Sequence, residues 1–267
     1  ICNPEVSIIT TISRDHTRIL GTRLSEIARE KAGIIKVGIP VVTGVSNSEA
    51  LSEIAKVATQ NHSPLVTVAV PFATGRTDVL RQDVWRDLSN HQQHNVDVAQ
   101  AAVGQLQHRG WTISSTAIDQ LHHSSNPVRI ERVSENPMVI VDAAHNWISA
   151  GALVDTIQKL PVRGKRVLIF GTSLDKDVAG LCRRLFPHFD VVIVTRYSKN
   201  QRAISVDALA ALAMRVSTLR VHKAKEPAEA WRAALEVCPE DGLVCVAGSF
   251  FLAAEIRRIA VSRRRSV

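Results

Sequence analysis

The stretch that decides the fold runs from Met138 to Asn146 and reads Met-Val-Ile-Val-Asp-Ala-Ala-His-Asn. Its first four residues are apolar and mostly β-branched, which predicts a buried strand. A helical pattern follows, because apolar residues recur on one stripe at Ala150, Leu153, Ile157 and Leu160. The polar cluster Asp142, His145 and Asn146 therefore joins the carboxyl end of a strand to the amino end of a helix. Open α/β sheets bind ligands at such places.

Two interpretations of this polar cluster remain open. In the functional one, Asp142 accepts a hydrogen bond from a ribose hydroxyl, and His145 binds an anion or moves a proton. In the structural one, Asn146 caps the helix and Asp142 accepts hydrogen bonds from backbone amides, as residues in strand-to-helix turns often do. The local pattern favours neither interpretation.

Strands and helices alternate regularly after a linker signal at Ser124-Ser125-Asn126-Pro127. Strands are predicted at 138–142, 166–171, 190–195 and 243–248, and helices at 147–160, 176–185, 206–216, 228–237 and 250–259. This order predicts a mostly parallel, doubly wound sheet whose polar strand ends cluster at one edge. Ser249 begins the last helix, so it is either an N-cap or a ligand contact.

The part before the linker is also predicted to alternate, with strands at 6–12, 40–45 and 64–70. The first helix has an apolar stripe that ends at Lys31, where a lysine usually snorkels towards water. A capping box at Ser46 and Glu49 is expected to open a helix that reaches about residue 60. Residues 72–90 are expected to form an irregular or short-stranded insertion. Residues 91–95 are expected to precede an alanine-rich helix at 96–107, and a short helix is expected at 115–123.

Composition limits the functional classes. The 267 residues carry a formal net charge of +8, which suits anionic ligands, and no recognised nucleic-acid module is present. No apolar run is long enough to span a membrane. The four cysteines are far apart without metal spacing, so we expect buried free thiols in a reducing cytoplasm. His91 and His94 have no acidic or cysteine partner at ligand spacing, so no transition-metal site is expected there.

Several motifs together resemble the folylpolyglutamate synthase/dihydrofolate synthase branch of the Mur ligase family. The most specific are an Asp-His-Thr…Leu-Gly…Glu-Lys-Ala-Gly-Ile-Ile-Lys block and Asp-x-Ala-His-Asn. In chain order the matching pieces lie at 9–21, 27–36, His91-Gln92…Asn95, Pro127-Val128-Arg129, 142–146, Asp175-Lys176-Asp177, Gln201-Arg202-Ala203 and Gly248-Ser249. They extend from near the start of the chain to near its end.

The resemblance implies an α/β fold with two domains. Residues 1–125 would be the remainder of the P-loop-type central ATPase domain, and residues 126–267 the doubly wound, Rossmann-like carboxy-terminal domain. It implies an amide ligase that uses ATP and Mg²⁺ to phosphorylate a pterin carboxylate, which the amino group of L-glutamate then attacks. The implied partners are therefore small molecules (pterin or folate, L-glutamate and ATP) rather than nucleic acid or membrane, and the implied state is a monomer.

The resemblance also assigns roles to individual residues. His16 matches a magnesium ligand, and Lys31 matches a catalytic lysine that is carbamylated and so becomes anionic near the metal. Asn95 and Arg129 match contacts to ATP, and Asp142 matches a residue that holds the nucleotide ribose. His145 and Ser249 match positions implicated in glutamate binding or catalysis. The linker at Asn126-Pro127 would act as a hinge.

Some family features differ or are missing. No glycine-rich phosphate loop occurs in the sequence, nor does the acidic magnesium ligand that the family places before its Asp-His motif. Arg14 stands where an apolar residue is usual. Val128 and Ala143 replace glycines and Trp147 replaces a common proline, which is tolerable if the backbone there keeps φ below zero.

The first residue is not methionine, and a predicted strand follows almost at once, so we expect the chain to be the later part of a longer protein. The hypothesis is that this polypeptide alone binds ATP poorly and does not turn over. The alternatives are another Mur-type amino-acid ligase, or a non-catalytic ligand-binding protein.

Overall fold

The computed structural model describes residues 3–13, 21, 23–69, 90–123, 126–198, 200–217, 219 and 221–264. The chain divides into two compact units, Ile1–Ser124 and Ser125–Val267. The division falls within the predicted linker, between Ser124 and Ser125. Cys2, His16 and nearly all of the predicted insertion at 72–90 lie outside the described residues.

The first unit contains a parallel sheet with the order β1 (Ser7–Ile9), β2 (Val41–Thr43) and β3 (Leu65–Thr67). The described helices are α1 (Leu24–Ala32), α2 (Ser48–Gln60), α3 (Asn90–His108) and α4 (Ser115–Asp119), and a 3-10 turn (Gln120–His123) follows. Apolar residues of α1 and α2, including Ile27 and Ile54, pack on one face of the sheet. Val98 and Ala102 of α3 pack against Val42 on the other. The central strand β2 is thus buried on both faces, whereas β1 and β3 are partly exposed.

Two local predictions for this unit were wrong. The cap of α2 is Asn47, whose Oδ1 accepts a hydrogen bond from the N–H of Ala50 at 3.0 Å, and not Ser46. The helix begins one residue later than expected, so Glu49 does not reach the position that a capping box needs. The polar residues 91–95, expected to precede α3, lie inside its first turns.

The second unit contains a sheet with the strand order β4-β5-β9-β6-β7-β8. The strands are β4 (Glu131–Glu135), β5 (Met138–Val141), β6 (Arg166–Phe170), β7 (Val191–Val194), β8 (Val221–Lys223) and β9 (Leu243–Ala247). All neighbours are parallel except β4 and β5. The predicted doubly wound sheet is confirmed, but β4 and β8 were missed. They border the described sheet and expose polar side chains, so their hydrophobic pattern is weak.

The helices of this unit cover both faces of the sheet. They are α5 (Trp147–Gln158), α6 (Val178–Leu185), α7 (Val206–Val216), α8 (Pro227–Val237) and α9 (Phe250–Arg264). Leu153, Leu181 and Leu209 place α5, α6 and α7 on one face. Trp231 and Leu252 place α8 and α9 on the other.

The strand order creates a topological switch point. Strands β5 and β9 are hydrogen-bonded neighbours, yet the helices that follow them, α5 and α9, pack on opposite faces. The carboxyl ends of β5 and β9 therefore lie at a switch point, which is where doubly wound sheets bind ligands.

The buried cysteines agree with the prediction of free thiols. Cys182, Cys238 and Cys245 are buried and form no disulfide. Burial raises the pKa of the Cys182 thiol to about 12 and that of Cys238 to about 11, so both stay protonated at neutral pH. No helix in the described ranges is long and apolar enough to cross a membrane.

Candidate functional site at the switch point

Asp142 ends β5 and holds the turn that follows. Its side chain is buried, with 5% exposure. The Oδ2 atom accepts a hydrogen bond from the N–H of Ile130 at 2.7 Å, and Oδ1 accepts one from the N–H of Ala144 at 2.6 Å. Burial raises the pKa of this carboxyl, and the two N–H groups and the charge of Arg129 oppose that rise. The structural interpretation of Asp142 is confirmed, and each oxygen has a second lone pair for a ligand hydroxyl.

His145 is half-buried one turn further along. Its Nδ1 atom lies 2.8 Å from the carbonyl oxygen of Ala143. A carbonyl oxygen can only accept, so Nδ1 carries the proton and Nε2 is the basic nitrogen of the neutral ring. The geometry therefore suits Nε2 for taking up a proton or for meeting an anion after protonation.

The start of α5 fixes the backbone of His145. The Oδ1 atom of Asn146 accepts a hydrogen bond from the N–H of Ser149 at 2.9 Å, so the predicted cap is confirmed. The Ser149 hydroxyl accepts hydrogen bonds from the N–H groups of Asn146 at 3.2 Å and His145 at 3.1 Å. These bonds satisfy donors that a helix start would otherwise leave unpaired.

Gly248 joins the end of β9 to the turn after β5. Its N–H donates a hydrogen bond to the carbonyl of Ala144 at 2.7 Å. Its φ is +106°, and a Cβ atom there would lie 2.6 Å from the carbonyl oxygen of Gly171. Only glycine tolerates this conformation and this approach. The bond brings Ser249 next to the turn that carries His145.

Ser249 is buried, with 4% exposure, and precedes α9. Its Oγ atom accepts a hydrogen bond from the N–H of Phe251 at 3.2 Å. The prediction that Ser249 is the N-cap of α9 is therefore confirmed. A hydroxyl can still donate one hydrogen bond to a ligand.

Arg129 is exposed and lies on a loop before β4 whose backbone is unusual. Val128 has a φ of +56° and Ile130 a φ of +49°. The condition that φ stays below zero is therefore not met at Val128, whereas it is met at Ala143 and Trp147. A β-branched residue in this region costs roughly 1–2 kcal/mol. The surroundings hold Val128 there, because its side chain is buried and its carbonyl accepts a hydrogen bond from the N–H of Ala143 at 2.8 Å.

The remaining predicted site residues belong to the first unit. Lys31 is half-buried at the end of α1, and its Nζ lies 3.4 Å from the carbonyl of Thr11, so the amine sits at the edge of the apolar stripe. Asn95 is half-buried in α3. His16, the predicted metal ligand, falls outside the described ranges.

Two long-range contacts were not predicted from the sequence. Glu131 accepts a hydrogen bond from the N–H of Val128 at 2.8 Å and pairs with Arg257. In the first unit, buried His94 places its Nε2 2.8 Å from the carbonyl of Gly44 and so ties α3 to the end of β2. Both pairings join segments distant in sequence, and so no local pattern indicates them.

The described residues also test whether a metal would fit. Among them no group of three His, Cys, Asp or Glu side chains could hold a metal ion. Asp142 already accepts from two backbone N–H groups, and an unmodified lysine amine such as that of Lys31 is a poor Mg²⁺ ligand because Mg²⁺ prefers oxygen. The described side chains therefore do not form a complete metal centre.

Comparison with known proteins gives consistent results. Residues 128–250 match the family model described as Mur ligase, glutamate ligase domain. The chain is 30% identical to folylpolyglutamate synthase of Lacticaseibacillus casei, covering 97% of this chain and 62% of that protein. It is 31% identical to dihydrofolate synthase/folylpolyglutamate synthase of Escherichia coli, covering 99% and 62%.

Solved structures agree with this relationship. Mycobacterium tuberculosis folylpolyglutamate synthase complexed with ADP and AMPPCP superposes with a TM-score of 0.81 at 28% identity, covering 97% of this chain and 64% of that one. A bifunctional folylpolyglutamate synthase/dihydrofolate synthase with Mn, AMPPNP and L-glutamate bound gives a TM-score of 0.73 at 26% identity, with 96% and 62% covered. The chain thus spans a little over three fifths of these relatives. It belongs to the folylpolyglutamate synthase/dihydrofolate synthase branch of the Mur ligase family.

Proposed function

We propose that this chain is the larger part of an ATP-dependent amide ligase that adds L-glutamate to dihydropteroate, to tetrahydrofolate or to both. The observation that carries the proposal is the link between the turn that carries His145, after β5, and the turn before Ser249, after β9. The Gly248–Ala144 hydrogen bond of 2.7 Å joins the two turns there. Both turns lie within the residues that match a glutamate ligase domain.

The chemistry requires activation of a carboxylate, which is a poor electrophile. In the proposed reaction, a carboxylate oxygen of the pterin substrate attacks the γ-phosphorus of ATP, and ADP leaves. The amino group of glutamate then attacks the acyl carbon, the amide bond forms and phosphate leaves. Nε2 of His145 accepts the proton that the amine loses, and Ser249 donates a hydrogen bond to glutamate. Holding the amine in line with the acyl carbon provides much of the rate enhancement.

The nucleotide is assigned to the residues around β5. The exposed guanidinium of Arg129 suits a phosphate, because it presents several N–H donors in a planar fork. The second lone pairs of the Asp142 oxygens suit ribose hydroxyls. Asn95, on α3 of the first unit, is proposed to contact ATP.

A divalent metal is part of the proposal, since a solved relative holds Mn together with AMPPNP. His16 and a carbamylated Lys31 would bind it, because a carbamate turns the amine into an oxygen ligand of the kind that Mg²⁺ prefers. When bound, the metal would neutralise charge on the phosphates. No other step of the mechanism depends on it.

The test is incorporation of labelled glutamate by the full-length protein, with and without ATP. The substrates are dihydropteroate, tetrahydrofolate and a uridine-linked muramyl acceptor. ATP-dependent labelling of a pterin supports the proposal. Labelling of the muramyl acceptor alone would assign the protein to another group of Mur ligases, and binding without labelling would indicate a non-catalytic protein.

The 267-residue chain by itself is proposed to bind ATP poorly and to be inactive, because it has no glycine-rich phosphate loop. Turnover of magnesium-ATP by this polypeptide alone would contradict that part of the proposal.

A further inference from the structure

The loop that carries Arg129 has a backbone that its own side chains disfavour. We define the Arg129 loop as Val128, Arg129 and Ile130. Its two β-branched residues have φ values of +56° and +49°. A branched Cβ crowds the backbone in this region, so the conformation persists only where neighbouring groups hold it.

Two carboxylates bind the N–H groups of the strained residues. Oε2 of Glu131 accepts a hydrogen bond from the N–H of Val128 at 2.8 Å. Oδ2 of Asp142 accepts one from the N–H of Ile130 at 2.7 Å. Hydrogen bonds to charged acceptors are stronger than those between neutral groups. Each strained residue of the loop thus has its own carboxyl acceptor.

Glu131 is itself held by the last helix of the unit. Nε of Arg257, on α9, lies 2.8 Å from Oε1 and 2.7 Å from Oε2 of Glu131. Partial burial alone would raise the pKa of Glu131, but the hydrogen bonds from Arg257 and from the Val128 N–H lower it overall. The acceptor is therefore charged at neutral pH, and its orientation depends on α9.

We infer that Glu131, oriented by Arg257, is a positioning residue that keeps the Arg129 loop in its left-handed backbone and so presents Arg129 to the nucleotide. The inference rests on the proposed function insofar as it takes the target of Arg129 to be ATP. Its structural part, the control of the loop by Glu131, is independent of any ligand.

The experiment compares Glu131→Ala with a matched control, Glu135→Ala, in the full-length protein. Glu135 lies on the same strand and pairs with Arg132 at 2.8 Å, but it does not bind the loop. Loss of a hydrogen bond to a charged group predicts amide exchange roughly tenfold faster at Val128 in Glu131→Ala. The KM for ATP should rise by a similar factor, while the KM for glutamate stays the same. Glu135→Ala should change none of these values.

Two further variants separate positioning from general destabilisation. Arg257→Gln leaves Glu131 in place but removes its partner, so it should raise the KM for ATP in the same direction. Val128→Gly in the Glu131→Ala background should lower the KM for ATP again, because glycine adopts a φ near +56° without crowding. A double variant whose KM stays as high as that of Glu131→Ala would overturn the inference, as would equal amide exchange in Glu131→Ala and Glu135→Ala.

A wrong assignment of Arg129 to ATP can be distinguished experimentally from a wrong inference about Glu131. If Arg129→Ala left the KM for ATP unchanged, the assignment of Arg129 to the nucleotide would be wrong. The exchange of the Val128 amide would still decide whether Glu131 holds the loop.

Discussion

Replacement of Asp142 by alanine is expected to destabilise the second unit strongly, whatever the ligand. The substitution removes the acceptors of the N–H groups of Ile130 and Ala144, which lie 2.7 and 2.6 Å from the carboxylate. Each hydrogen bond to a charged group contributes about 1.5–3 kcal/mol. The variant no longer buries a charge, which offsets part of the loss. The net cost is about 2–4 kcal/mol, a large share of the roughly 5–15 kcal/mol that a domain has.

The assay is equilibrium urea unfolding followed by circular dichroism, with two comparison variants. Asp142→Asn keeps one acceptor oxygen but turns an amide N–H₂ towards a backbone N–H, so it should cost less, about 1–2 kcal/mol. Asp190→Ala is the matched control. Asp190 is exposed and accepts one backbone bond, from the N–H of Arg166 at 2.8 Å, so its loss should cost under about 1 kcal/mol.

An Asp142→Ala variant no less stable than Asp190→Ala would refute this reasoning. It would mean that water replaces the carboxylate at both N–H groups without a cost. Asp142 could then be assigned to ligand binding alone.

The remaining predictions concern the acid stability of one ion pair and the packing of one glycine. The pKa of Glu131 is lowered from 4.5 in the folded state, so its contribution to stability is complete above that pH and is lost as the pH falls through the folded-state pKa. The free energy of unfolding, measured at about pH 6 and about pH 3, should therefore fall less in Glu131→Gln than in the wild type, and an equal fall would contradict the assignment. Gly248→Ala should cost at least about 2 kcal/mol, because its Cβ would lie 2.6 Å from the carbonyl oxygen of Gly171 at a φ of +106°. The melting temperature measures this effect, and Gly104→Ala, which has open space around it, is the control.

The sequence predicts best where a strand or helix has a strong pattern of its own. Strand β9 reads Leu-Val-Cys-Val-Ala and is buried at every position, so its apolar run alone was enough to predict a strand. The cap of α5 at Asn146 followed from the residue type and the start of the helical stripe. In β4, Val133 alone is fully buried, so the strand left no periodic signal.

The parts that were missed depend on tertiary contacts. Asn47 and Ser46 are neighbours, and the hydrophobic periodicity does not fix the start of a helix to within one residue, so it could not decide which of them is the cap. The positive φ of Val128 depends on a buried side chain and on Glu131, and the pair of Glu131 with Arg257 joins residues 126 positions apart. Such contacts exist only once the sheet and α9 have packed. The structural roles of Asp142 and Asn146 were predicted from the sequence and are confirmed, whereas the contacts of Glu131 were not predicted, and the ligand roles of the site residues stay predictions.

The most direct test of the central claim is the rate of glutamate ligation by the full-length protein with wild-type His145 and with His145→Ala. The control is His222→Ala, which changes an exposed residue on β8. The account predicts that kcat falls by roughly 10²–10⁴-fold in His145→Ala, because a positioned acid–base group is removed, and that the control keeps the wild-type rate. A His145→Ala enzyme that ligates glutamate as fast as the control would contradict the account, since the site at the switch point would then not be where the reaction takes place.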